Sequence, residues 1–257
     1  MTLQARGTGR VDFQAQPATT IETPVQELAV RRGFPHQLYG RSGQVLFWDS
    51  FERDTLTWKV RSALRADAMI STAYARTGGR SLLIAFPPFA SGFQYNMQIR
   101  RTIPYIKPIG KVGVEFSFTI PAGEPTDLML RVDDNDDVKN GLFEVELDFS
   151  TDEAILRRSQ QSGPNTYEVL GSIAKLRLDQ PALFHTLKFV FDLDSKIWTD
   201  IRLDAGSFNV VGIPYAASVG DLDNSTFPHL IIWLQSNSSN TAGALIYVDD
   251  VIITREV

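Results

Sequence analysis

In Val112-Gly-Val-Glu-Phe-Ser-Phe-Thr-Ile120, the residues Val112, Val114, Phe116, Phe118 and Ile120 fall at every second position. Only an extended strand gathers such a spacing onto one apolar face. The pattern returns in Leu142-Phe-Glu-Val-Glu-Leu-Asp-Phe149 and in Leu187-Lys-Phe-Val-Phe-Asp-Leu193. A helix would scatter these side chains around its circumference, so the chain is read as β-structured. Strand signals recur at roughly eight- to twelve-residue intervals, the spacing of a sandwich or barrel. They predict strands over 45–51, 56–60, 68–74, 80–86, 93–102, 111–120, 127–133, 142–149, 153–159, 166–173, 184–193, 197–204, 208–213, 229–235 and 244–255. Turns are marked by Thr77-Gly-Gly79, Pro87-Pro88, Pro121-Ala-Gly123, Ser162-Gly-Pro164 and Asp204-Ala-Gly206.

Residues 1–44 follow neither a period of 2 nor one of 3.6. Gly7, Gly9, Pro17, Pro24, Gly33, Pro35, Gly40 and Gly43 interrupt them. Thr23-Pro-Val-Gln-Glu-Leu-Ala-Val-Arg-Arg32 is helix-compatible, with Thr23 as N-cap and Pro24 at the first helical position. Its short apolar stripe of Val25, Leu28 and Val30 buries too little to order the segment in isolation. The expected organisation is an extended N-terminal arm over 1–44 and one sandwich over 45–257. The arm docks either on its own domain or on a neighbouring subunit.

Of the 257 residues, 43% are hydrophobic, and the net charge is −5 with no basic stripe of the kind that marks a nucleic-acid reader. With no cysteine, disulfides and thiolate metal sites are excluded. No apolar run is long enough to cross a bilayer as a helix, and Met1–Arg10 contains no apolar core of a secretory signal. The expectation is a protein that partners neither nucleic acid nor membrane.

Trp48-Asp-Ser-Phe-Glu52, then Trp58, then Ser71-Thr-Ala-Tyr-Ala-Arg-Thr-Gly-Gly-Arg-Ser-Leu-Leu83, resembles the opening of carbohydrate-binding-module jelly rolls. Phe184-His-Thr-Leu-Lys-Phe-Val-Phe-Asp192 followed by Trp198 is similar to the central strands of concanavalin A-like sandwiches. Tyr247-Val-Asp-Asp-Val-Ile-Ile253 is similar to the closing strand of both groups. The resemblance implies an all-β, antiparallel jelly-roll sandwich over 45–257. It also implies a structural calcium ion joining the first and last strands through Glu52, the backbone of Gly78-Gly79 and Asp250, with Asp49 and Asp249 nearby. Solvated carboxylates, or Asp250 paired with Arg76 or Arg80, are the alternative. Arm, sandwich and missing signal together resemble decoration or minor structural proteins of tailed-phage virions.

Three further features carry candidate chemistry. Asp133-Asp-Asn-Asp-Asp-Val-Lys-Asn-Gly141 aligns poorly with a calcium-binding EF loop, since Val138 stands where that loop requires Gly, and is read as a solvated hairpin. Glu144-Val-Glu-Leu-Asp148 sends Glu144, Glu146 and Asp148 to one strand face. The order differs from the Glu-x-Asp-x-Glu strand of laminarinase-type glycosidases, so a polar outer face is expected rather than a catalytic one. Trp48, Trp58, Trp198 and Trp233, with Phe86, Phe89, Phe93 and Tyr95, offer either a sugar platform or core filling. Within that set, Phe86-Pro-Pro-Phe-Ala-Ser-Gly-Phe93 is apolar for a loop, and Phe86, Phe89 and Phe93 are read with Val25, Leu28 and Val30 as interface residues. The functional expectation is a non-enzymatic virion protein, homo-oligomeric and docked on capsid or tail proteins. Glycan binding is the alternative and glycoside hydrolysis a more distant one.

Overall fold

The computed structural model describes residues 44–63, 66–88, 95–105, 109–123, 127–135, 140–149, 153–159, 167–174, 183–214, 216–217, 229–238 and 243–256. Among these no helix occurs. The strands are β1 (Gln44–Asp49), β2 (Lys59–Ala63), β3 (Asp67–Ser71), β4 (Ser81–Phe86), β5 (Tyr95–Pro104), β6 (Lys111–Gly123), β7 (Asp127–Asn135) and β8 (Asn140–Asp148). They continue with β9 (Glu153–Ser159), β10 (Tyr167–Ala174), β11 (His185–Asp192), β12 (Ile197–Leu203), β13 (Gly206–Phe208), β14 (Ala216–Ala217), β15 (His229–Ser238) and β16 (Ala244–Arg255).

They form two antiparallel sheets. Sheet A runs β13-β12-β11-β6-β16-β4-β3, with β1 also on β16; sheet B runs β10-β9-β8-β7-β15-β5-β2, with β14 on β8. This is the expected all-β, antiparallel jelly-roll sandwich. The alternating residues read from the sequence meet between the sheets: Val112, Val114, Phe116, Phe118 and Ile120 of β6 and Leu187, Phe189 and Phe191 of β11 are all buried. Phe143 of sheet B stacks on Phe191 of sheet A with ring centroids 4.0 Å apart, and Trp198 meets Phe143 edge-on at 5.4 Å. Burying one such side chain is worth about 1.5–3 kcal/mol, which is what fixes each strand's facing.

The twelve-residue β16 is the keystone of sheet A. One of its edges pairs with β6 throughout, while the other pairs with β4 at Ala244–Val248 and then with β1 at Val251–Arg255. The handover falls on Asp249-Asp250, where the β6 register also slips and Asp250 takes a positive φ of 53°. The expected strand over 208–213 is absent. After Phe208 the chain turns at Gly212 (φ 78°) and folds back on β12, with Trp198 N–H donating to Ile213 O at 2.8 Å and Gly212 N–H to Trp198 O at 3.0 Å. The two-residue β14 is too short to leave a periodic signal.

Candidate functional site

Two groups of carboxylates stand on the outer faces of the two sheets. The first lies at the β16 handover. Asp249 accepts from the backbone N–H groups of Arg76 (2.8 Å), Thr77 (3.1 Å) and Asp250 (2.8 Å). Asp250 accepts from the Thr77 hydroxyl at 2.9 and 3.0 Å, and Glu52 Oε1 accepts from the N–H groups of Gly79 (2.8 Å) and Arg80 (2.9 Å). Asp49 closes the opening strand by accepting from Phe51 N–H at 2.9 Å and Trp58 Nε1–H at 2.8 Å. Burial, and then the charge of Asp250, push Asp249 well above the usual carboxylate range, against the pull of its N–H bonds.

The expected calcium residues Glu52, Gly79 and Asp250 do converge at this joint. Their hard oxygen donors suit calcium in kind. In this arrangement, however, Glu52 Oε1 and both Asp250 oxygens already accept protein hydrogen bonds, and Gly79 contributes its N–H. Among the described residues no group of three or more carboxylates or histidines is placed to hold a metal ion. The arginines expected beside Asp250 serve elsewhere: Arg76 contributes its backbone to Asp249 and its guanidinium to Ser117, and Arg80 its guanidinium to Asp54. Gly78 is required here, having a φ of 66° and leaving only 2.2 Å between a would-be Cβ and Glu52 Oε1.

The second group lies on sheet B. Period two puts Glu144, Glu146 and Asp148 of β8 on the side away from the core, as expected. Their burial is not the expected solvated state: none exceeds 7% exposure. The register adds neighbours from far along the chain. Asp127 of β7 pairs directly with Asp148, Arg131 with Glu144, and Arg157 of β9 with Glu146. The Arg157 guanidinium pairs with Asp148 and lies 3.6 Å from Glu146 Oε1. Burial pushes the Glu146 carboxyl up to about 7, reinforced by the charge of Asp127 and more weakly by Glu144 and Asp148, while Arg157 opposes the rise. Like charges directly opposite on a sheet are unfavourable, and at Asp148 the Arg157 guanidinium offsets the facing Asp127. Glu146 can hold or release a proton near neutrality, and the flanking carboxylates can accept hydroxyl donors.

Other expectations resolve differently. Phe86 is a core residue of β4 rather than an interface residue: its ring points between the sheets and is buried. Phe89 and Phe93, and Val25, Leu28 and Val30 of the arm, lie outside the described residues. Trp58 and Trp198 are also buried, which leaves them no role in a sugar platform, and Trp48 packs with Val45 and Ile252 on sheet A. The acidic stretch is not simply solvated. Asp133 pairs with Arg131 at 2.6 Å, and the fully buried Asp134 accepts from the Tyr105 hydroxyl at 2.5 Å and pairs with Lys196. Sequence reasoning missed Asp127 and Arg157 because neither belongs to a local motif.

No family model matches the chain, and no curated protein matches it. Solved structures do. An endo-β-1,4-glucuronan lyase from the fungus Trichoderma reesei superposes with a TM-score of 0.55 at 11% identity, over 84% of this chain and 96% of that one. A carbohydrate esterase from Shiga toxin-encoding bacteriophage phi24B gives 0.48 at 11% identity, over 77% and 90%. The module TmCBM61 in complex with β-1,4-galactotriose gives 0.41 at 11% identity, over 80% and 94%. At such identity the likeness is one of fold.

Proposed function

We propose that the protein is a carbohydrate-binding module that holds its ligand on the outer face of sheet B. The observation that carries this reading is the cluster of buried carboxylates Asp127, Glu144, Glu146 and Asp148 beside the partly exposed Arg157. Sugars present dense hydroxyl groups, and carboxylates beside a guanidinium offer matching acceptors and donors. With Trp58 and Trp198 buried, the recognition is polar rather than built on those rings. Gel retardation in the presence of neutral and acidic polysaccharides tests the reading. At least one polymer is expected to slow the protein, and Arg157→Ala to abolish the effect while the circular dichroism spectrum is unchanged. Migration unaffected by every polymer would sink it.

A second reading, cleavage of the bound glycan, is favoured by the Glu146 carboxyl standing near 7, where a general acid or base works best. Release of new chain ends that is lost in Glu146→Gln, with binding kept, would support it. Binding without any product leaves the module reading alone. The virion role and assembly partners expected from the arm rest on residues 1–44 and are a separate proposal. Deleting those residues is expected to leave glycan binding intact while removing the protein from its assembly.

A further inference from the structure

Antiparallel partners share a sheet face, so register extends the site across neighbouring strands. Lys59 of β2 pairs with Arg100 of β5, Arg100 with Trp233 of β15, Trp233 with Arg131 of β7, and Arg131 with Glu144. The adjacent row runs Arg61, Gln98, Gln235, Met129, Glu146 and Arg157. One side of the face, β2 and β5, therefore carries Lys59, Arg61 and Arg100; on β7 Arg131 is paired with Asp133, and from there to β8 the face carries Asp127 and the carboxylates of β8. Lys59 and Arg61 are exposed on an edge strand, and Arg100 is half-buried. With strands about 4.8 Å apart, four strand spacings separate Lys59 from Glu144, roughly 19 Å. That span takes several sugars laid across the strands.

From this division of charge, and resting on the glycan-binding reading above, we propose that the ligand is an acidic polysaccharide bearing carboxylates. Its acid groups lie over the basic positions of β2 and β5, and its chain continues towards Arg157 beside Glu146. Guanidinium groups match carboxylates in a planar, two-point fashion, which favours uronate-type groups. A neutral glycan would make no use of the exposed charges of Lys59 and Arg61.

The test measures affinity of the full chain for polygalacturonate, hydroxyethyl cellulose, dextran sulfate and single-stranded DNA. The expected result is binding to polygalacturonate about tenfold or more tighter than to the neutral polymer, weakening with added salt. The exposed double variant Lys59→Gln with Arg61→Gln is expected to lose about three- to tenfold for polygalacturonate and nothing for the neutral polymer. Equal or tighter binding of hydroxyethyl cellulose would overturn the acidic-ligand inference and leave glycan binding standing. Equal or tighter binding of dextran sulfate or DNA would overturn the assignment of carboxylate as the recognised group. No binding of any polysaccharide would remove the glycan reading itself.

Discussion

The two carboxylate groups use the same residue types and reach opposite ends. At the β16 handover, Asp249 is fully buried and held by three backbone N–H groups, two of them from a loop more than 170 residues away. On sheet B, Glu146 faces Arg157 among three other carboxylates and keeps a proton to about pH 7. A carboxylate ringed by donors closes a structure even where, as at Asp249, burial and the neighbouring Asp250 raise its pKa. One crowded by its own kind stores a cost, and such costs gather where a protein meets a ligand.

The contrast can be broken most forcefully at Asp249. Asp249→Ala strands three buried N–H groups and is expected to lose about 3 kcal/mol in urea unfolding; a loss under about 1 kcal/mol would deny the joint its structural role. Glu146→Gln is expected to act the other way. Its carboxyl titrates near 7 in the folded protein against a model value of 4.5, so the native state binds the extra proton between those values. Wild-type stability is therefore expected to fall as pH climbs through that window, and the full penalty stands above it. The amide removes the penalty, giving a gain on the order of 1–2 kcal/mol at pH 8 that disappears below about pH 4.5. A gain that is the same at both pH values would show that the buried charge of Glu146 is not its source.

The smallest effect is expected from calcium. With Glu52 Oε1 and Asp250 already accepting protein hydrogen bonds, adding calcium or a chelator is expected to move the melting temperature by less than about 2 °C. A rise of about 5 °C or more on adding calcium would give the joint the ion that its sequence suggests.

Much of the fold was legible. Alternation in β6, β8 and β11 located the strands and the core face, because apolar burial acts on every second residue of any strand. The segment after Phe208 was misread as a strand because its reversal depends on a turn at Gly212 and on bonds to Trp198, which apolar composition does not encode. The strand expected over 80–86 already held Phe86, but its grouping with Phe89 and Phe93 did not reveal that its ring turns into the core. For the site, Glu144, Glu146 and Asp148 were placed on the correct face, but their burial was not foreseen.

The sequence by itself determined that this chain is an antiparallel β-sandwich and that Glu144, Glu146 and Asp148 share the face away from its core. Those are consequences of a two-residue period, a property of each strand alone. Register decided everything else. It set Asp127 against Asp148, Arg157 against Glu146, and the basic positions of β2 and β5 in line with them. Pairing is chosen by packing and turn geometry summed over the whole sandwich, so it appears only when the strands are assembled.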